Sequence, residues 1–117
     1  MKPNPVLDKS YQFAIKIVKL CNKLSKEGKS YYLTNQLIRS GTSIGANTEE
    51  AMGGVSKKDF INKLGIAYKE ARETMYWLKL LRDTEGIDTT TGEAILSDCE
   101  ELLKLLYTII RSTKERE

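Results

Sequence analysis

Four long segments of the chain repeat their apolar residues at spacings of three and four, the period of an α-helix rather than a β-strand. Their predicted spans are residues 5–26, 31–52, 57–84 and 91–113. Glycines mark each break, at positions 28, 53–54 and 86. Because short breaks favour antiparallel neighbours, the sequence predicts an all-α, up-down-up-down four-helix bundle. At 117 residues the chain has the length of one domain, which we expect to span residues 1–117.

Residues that suit helix N-caps stand before each segment. Asn4, Ser30 and Ser56 precede the first three segments and can accept a hydrogen bond from the first turn. For the fourth segment we predict Thr90 as the N-cap, with Glu93 three residues later completing a capping box. These signals support the four predicted helices independently of their apolar period.

The first segment carries two adjacent apolar stripes, which together cover about half of the helix circumference. A helix on the outside of a monomer usually shows a narrower apolar arc of about 100°. We therefore expect a second buried surface besides the bundle core, for instance between subunits. One stripe comprises Leu7, Tyr11, Ala14, Val18 and Cys21, and the other comprises Phe13, Ile17, Leu20 and Leu24.

The second segment has a low helix propensity in its middle, because Gly41 and Gly45 each cost a helix about 1 kcal/mol relative to alanine. Since they are four residues apart, they lie on one face and allow another backbone to approach closely. A phosphate-binding loop is the alternative, but the stretch lacks the GKS/T and GxGxxG patterns and a preceding strand. We therefore predict close helix packing at both glycines.

Histidine is absent from the chain, which excludes histidine-based acid–base catalysis, Ser-His and Cys-His triads, and histidine metal ligation. Cys21 and Cys99 are too few for a zinc site and have no CxxC spacing. We therefore expect no enzymatic activity, no cofactor and no bound metal. The sequence also has no apolar run long enough for a membrane span and no signal-peptide pattern at its start. We expect a cytoplasmic protein without membrane contact, in which both thiols stay reduced.

The net charge of +3 conceals a separation of charge along the chain. Residues 1–29 carry a net charge of +5, whereas residues 87–117 carry −3. Five lysines of the first segment fall within about 100° of arc and form a lysine stripe. It is open whether this stripe is a solvated face, contacts nucleic-acid phosphates together with Lys57 and Lys58, or meets the acidic fourth segment of another subunit. The lysine stripe comprises Lys9, Lys16, Lys19, Lys23 and Lys26.

Glutamates cluster in the second and third segments. Paired carboxylates on facing helices hold two metals in some bundles, but that arrangement uses ExxH motifs, which this chain lacks. We therefore predict ion pairs between helices, with Arg39 and Arg72 as the partners. The glutamates are Glu49, Glu50, Glu70 and Glu73.

Two long motifs resemble those of a known family. The first is RSGTSIGAN at residues 39–47, continued by EEA at 49–51. The second is SKKDF at residues 56–60, continued by KEARET at 69–74 and YWL at 76–78. In residue type and spacing they resemble the four-helix-bundle family named for the 23S rRNA intervening sequence, which is related to the accessory variability proteins of diversity-generating retroelements. The resemblance covers about residues 7–112.

This resemblance implies an antiparallel four-helix bundle that assembles into a cyclic homopentamer, and it carries no catalytic residues over to this chain. We expect an oligomeric bundle with an RNA-associated or scaffolding role, whose partners are copies of itself and RNA or another nucleic-acid-associated protein. The alternative is a protein-interaction scaffold with no nucleic-acid role. The motif residues expected to pack helices or form ion pairs are Arg39, Gly41, Gly45, Asn47, Glu49, Glu50 and Arg72.

Overall fold

The computed structural model describes residues 4–116, and four α-helices account for most of them. The all-α prediction is confirmed, and the bounds of the first three helices agree with the predicted ones. The bundle is elongated, with principal extents of 50 × 25 × 20 Å. The helices are α1 (Pro5–Lys26), α2 (Tyr31–Met52), α3 (Lys57–Thr84) and α4 (Thr89–Glu115).

Side-chain caps define the starts of the first three helices. Asn4, Ser30 and Ser56 each accept a hydrogen bond from the backbone N–H three residues ahead, at 3.2, 3.3 and 3.1 Å. Gly28 and Gly86 follow the ends of α1 and α3 with φ of 74°, a left-handed conformation that glycine adopts without steric cost. The chain therefore turns sharply at both breaks.

The predicted bounds of the fourth helix are wrong at both ends. Asp88, rather than Thr90, is the N-cap, and its carboxylate accepts a hydrogen bond of 3.0 Å from the backbone N–H of Thr91. That bond lowers the pKa of Asp88. Aspartate is a stronger N-cap than threonine, and the preceding Ile87 is buried in the core, which brings the chain into the helix two residues early. At the other end, α4 continues to Glu115.

Each helix packs against the next one in the chain, and α4 returns to pack against α1, without diagonal contacts between backbones. Helices α1 and α2 are antiparallel, because Ser10 lies against Gly45 whereas Ile17, further along α1, lies against the earlier residue Gly41. The bundle is therefore up-down-up-down. The other neighbouring helices show the same order in the contacts Glu50–Lys63 and Arg39–Glu73, Ala71–Cys99 and Tyr68–Tyr107, and Lys9–Glu101 and Lys16–Asp98.

Helices α1 and α2 pack closely at the two glycines of α2. A Cβ atom at Gly41 would lie 2.8 Å from Cγ2 of Ile17, and one at Gly45 would lie 3.2 Å from the carbonyl oxygen of Ser10. Both distances are shorter than ordinary van der Waals contact between such atoms. The missing side chains at these positions therefore set the separation of α1 and α2.

Hydroxyl side chains sit inside the otherwise apolar core. The hydroxyls of Ser40 and Thr74 lie 3.0 Å apart and link α2 to α3. Within residues 4–116, every buried side-chain nitrogen or oxygen has a hydrogen-bond partner. Burial of these groups therefore leaves no unpaired polar atom, which would be costly in the core. The buried hydroxyl residues are Ser10, Thr34, Ser40, Thr48 and Thr74.

Replacing Gly41 with alanine tests the close approach of α1 and α2. The new Cβ would lie only 2.8 Å from Cγ2 of Ile17, a fully buried side chain that would have to shift within the core. We expect the free energy of unfolding to fall by about 1–2 kcal/mol, because overpacking outweighs the gain in helix propensity. Urea unfolding followed by circular dichroism at fixed protein concentration measures the change.

The matched control is Gly92→Ala in α4, where an added Cβ would make only ordinary contact with Ile87, at 3.6 Å. We expect this variant to be as stable as the parent or more stable. Equal stability of the two alanine variants would contradict the role assigned to Gly41.

Candidate functional site

The lysine stripe divides into two parts, and its first part is paired with α4. Lys16 Nζ lies 2.7 Å from Asp98 Oδ2, and Lys9 pairs with Glu101. These acidic partners belong to the same chain, whereas the sequence left pairing between subunits open. Asp98 and Glu101 were not singled out from the sequence, although their spacing of three places both on one face of α4. Since all four side chains stay open to solvent, the pairs add little stability.

The second part of the stripe consists of three exposed cations on the C-terminal half of α1. Lys19, Lys23 and Lys26 form no ion pair with any residue between 4 and 116. Their spacing of four and three residues places them about one helical turn apart on one side of α1. The charge of Lys23 also lowers the pKa of Asp88, although the hydrogen bond from the Thr91 backbone has the larger effect. This part of α1 therefore presents three cations to solvent.

Lys57 and Lys58 lie away from the stripe. They begin α3, the helix diagonally across the bundle from α1, at the end where α1 starts. Lys57 donates a hydrogen bond to the carbonyl oxygen of Arg116, and Lys58 is exposed. The structure therefore does not bring the two lysines into one surface with Lys19, Lys23 and Lys26.

Arg39 joins α2 to α3 through a polar network. Its guanidinium pairs with Glu70 at 3.2 Å and with Glu73, and it also donates to the side-chain oxygen of Gln36. Glu73 accepts a further hydrogen bond of 2.8 Å from the indole N–H of Trp77. The network thus links charged and aromatic side chains along one edge of the bundle, as the ion-pair prediction for Arg39 expected.

The ion-pair prediction is wrong for Glu49 and Arg72, and Glu50 pairs with Lys63 rather than with an arginine, at 3.1 Å. Within residues 4–116, neither Glu49 nor Arg72 has an oppositely charged partner in contact. The reason is geometric, since Glu49 faces outward beside α1 and Arg72 faces outward beside α4. Asn47 donates its amide to a backbone carbonyl of the preceding turn of α2, at 2.9 Å.

A surface with few charged residues lies between the first half of α1 and the second half of α2, and we call it the α1/α2 face. The first three members of the first apolar stripe of α1, Leu7, Tyr11 and Ala14, lie here rather than in the core, whereas Cys21 is buried. Tyr11 lies at the centre of this face and is 65% exposed, and Asp8 and Glu49 lie at the edge of the face. The α1/α2 face is lined by Leu7, Tyr11, Ala14, Thr42, Gly45 and Ala46.

A second open groove, the α3/α4 groove, runs between the first half of α3 and the last turns of α4, on the opposite side of the bundle. Its floor is largely apolar, and the rings of Tyr68 and Tyr107 meet in it with centroids 6.3 Å apart. The groove is lined by Gly65, Tyr68, Tyr107 and Ile110, with the charged side chains of Lys69, Arg72, Arg111, Lys114 and Glu115 around them.

Both thiols are buried and have low reactivity. Burial raises the pKa of Cys21 to about 11, and burial together with the nearby charge of Asp98 raises the pKa of Cys99 to about 12. Neither thiol therefore forms a nucleophilic thiolate near neutral pH. In the part of the chain described, no three histidine, cysteine, aspartate or glutamate side chains are grouped so as to hold a metal ion. None of the four helices combines the length and apolar character that crossing a membrane requires.

Comparison with known proteins places the chain in a family. Residues 2–108 match the family described as 23S rRNA-intervening sequence protein. The chain belongs to this family. A crystal structure of a protein of unknown function from the S23 ribosomal protein family of Bacteroides thetaiotaomicron is similar, with 52% identity and a TM-score of 0.87. The match covers 90% of this chain and 97% of that one. No curated protein matches the chain.

Membership of the 23S rRNA-intervening sequence family confirms the resemblance carried by the two motifs. Neither the family description nor that of the similar crystal structure names a reaction, so the family is not one of known enzymes. The exposed features of this family member described above are the cations of α1, the α1/α2 face and the α3/α4 groove.

The thiols give a direct test of the packed core. We expect Cys21 and Cys99 to react with Ellman's reagent at pH 8 only as fast as the protein unfolds, because both are buried and protonated. The control is the same reaction in a denaturing concentration of guanidinium chloride, where both thiols should react at once. Rapid reaction of either thiol in the native protein would contradict the structure around it.

Proposed function

We propose that this protein is a non-enzymatic, homo-oligomeric bundle that binds RNA through the lysine stripe of α1. The observation that carries the proposal is the group of exposed cations at Lys19, Lys23 and Lys26. Lysines that contact phosphates release counterions from the nucleic acid, which supplies much of the affinity in such complexes. A cytoplasmic location, with access to RNA, belongs to the same proposal.

The form of recognition follows from what surrounds the three lysines. The lysine stripe contains no aromatic residue, and Tyr11, the tyrosine of α1, belongs to the α1/α2 face. Without aromatic side chains within the stripe itself, bases have no platform for stacking on that part of α1. We therefore propose contact with phosphates, strong salt dependence and little preference for base sequence.

The oligomer is supported by the apolar residues that the monomer leaves uncovered. Tyr11 and Val18 of α1 and Tyr107 of α4 are each more than one-third exposed, and they lie outside the core. Exposed apolar patches of this kind mark association surfaces in water-soluble proteins. For the number of subunits we propose five, as the family resemblance implies.

A scaffold for proteins, with no nucleic-acid role, is the second candidate. It is favoured by the pairing of Lys9 and Lys16 with α4, which removes two cations from the surface offered to RNA. The α3/α4 groove would then receive a partner protein. The two candidates differ in whether the protein binds RNA through its exposed lysines.

Light scattering coupled to size-exclusion chromatography tests the oligomer. We expect a mass several times the 13.3 kDa of one chain, because burial of the exposed apolar residues favours association. Dilution over a wide concentration range serves as the control for weak self-association. A stable monomer at every concentration would contradict the proposed assembly.

RNA binding is tested by Lys19→Gln combined with Lys23→Gln. With a fluorescein-labelled RNA hairpin, we expect weaker binding and a salt slope that is smaller by about two, because two phosphate contacts are lost. Fluorescence anisotropy at several salt concentrations measures both quantities.

The matched control is Lys79→Gln combined with Lys104→Gln. It lowers the net charge of the protein by the same two units, but at positions on α3 and α4. Its salt slope should equal that of the parent protein. Equal slopes for both double variants, or no RNA binding by the parent at low salt, would contradict the RNA proposal and favour the protein scaffold.

A further inference from the structure

We infer that the α1/α2 face of one copy docks into the α3/α4 groove of the next, with Tyr11 at the centre of the contact. The inference rests on the proposed oligomer and names the surfaces that build it. The occupant of each surface is thus a second copy of this chain. Four features of the structure support the assignment.

The first feature is the position of the two surfaces around the bundle. Each helix contacts only its neighbours in the order α1, α2, α3, α4 and back to α1. The α1/α2 face and the α3/α4 groove therefore lie on opposite sides. An interface between two different, opposite surfaces is heterologous, and repetition of it closes into a ring when the rotation between copies permits.

The second feature is their position along the bundle. The contact of Ser10 with Gly45 marks the level of the α1/α2 face. Ion pairs of α2 with α3, from Glu50 to Lys63 and from Arg39 to Glu73, place Gly45 level with about residue 68. Tyr68 lies in the middle of the α3/α4 groove, so the two surfaces are level and can meet without a shift along the axis.

The third feature is charge. The charged side chains that line the α1/α2 face are both carboxylates, those of Asp8 and Glu49. The side chains around the α3/α4 groove are mainly cationic, and the single carboxylate among them is Glu115. Docking would bring opposite charges together and supply oppositely charged partners for Glu49 and Arg72, which have none within the described chain.

The fourth feature is shape. Tyr11 projects from a surface otherwise built of small residues, including Ala14, Gly45 and Ala46. The α3/α4 groove is open where Gly65 has no side chain, and an atom added there would meet nothing within 4 Å. An exposed tyrosine that enters an apolar groove is the typical anchor of a protein interface.

Tyr11→Glu tests the interface, with Tyr31→Glu as its matched control. Tyr31 is more exposed than Tyr11, at 78% against 65%, but lies outside both surfaces. We expect Tyr11→Glu to weaken assembly at least about tenfold, as loss of an anchor residue does, whereas Tyr31→Glu assembles like the parent. Light scattering over a dilution series measures assembly, and circular dichroism verifies the helical fold.

A second pair of variants tests the charges. Glu49→Lys would place a cation against the cationic groove, whereas Glu27→Lys makes the same charge change at the far end of α1. We expect only Glu49→Lys to weaken assembly, with a larger effect at low salt, because screening reduces the repulsion.

The outcomes separate this inference from the proposed function. If the parent assembles and both Tyr11→Glu and Glu49→Lys assemble equally well, the oligomer stands and the assigned interface is wrong. If the parent is a stable monomer, the oligomer and the interface are both wrong. Weaker assembly of Tyr11→Glu and Glu49→Lys, with parent-like controls, supports the interface.

Discussion

The close packing of α1 on α2 at two glycines is the contact on which much of the remaining structure depends. Because Gly41 and Gly45 lack side chains, Ile17 and the backbone of Ser10 can lie directly against α2. The core stripe of α1 is thereby fully buried, and the adjacent apolar stripe stays outside. Gly45, which lets α1 approach α2, also lines the α1/α2 face beside Ala14 and Ala46.

The lysines of α1 fall into two groups along the helix. Two lysines near the start of α1 are paired with α4, while three near its end face solvent without carboxylate partners among residues 4–116. Since α1 and α4 meet through exposed ion pairs, their contact depends more on salt than the glycine contact of α1 with α2 does. The net charge of +3 therefore says less about binding than the local distribution of cations.

The sequence predicted the helices well because each has an apolar period and a capping residue of its own. It failed at the start of α4, where Asp88 and Thr90 are both suitable caps and the burial of Ile87 decides between them. Buried hydroxyls such as Thr74 were not predicted, since their partners lie on another helix. The apolar period and the capping residues predict local structure, whereas these features depend on the packing of segments that are distant in the sequence.

Prediction of the site was limited by the same difficulty. The sequence identified the lysine stripe as a group, but only the fold shows which lysines are paired with α4. It also predicted ion pairs for Glu49 and Arg72, yet the bundle places them on opposite outer sides. Glu49 and Arg72 have opposite charges and no charged partner within the described chain. These facts indicate a contact between copies only when the fold shows that the two surfaces lie on opposite sides of the bundle and at the same level.

Chemical cross-linking of Ala46→Cys combined with Gly65→Cys tests the pairing of the two surfaces most directly. The native thiols are buried, so a short bismaleimide should react only with the introduced cysteines. We predict a ladder of covalent oligomers that ends in a closed ring for the double variant, and no cross-linked species for either single variant. Cross-linked dimers from a single variant, or none from the double variant, would contradict the pairing of the α1/α2 face with the α3/α4 groove.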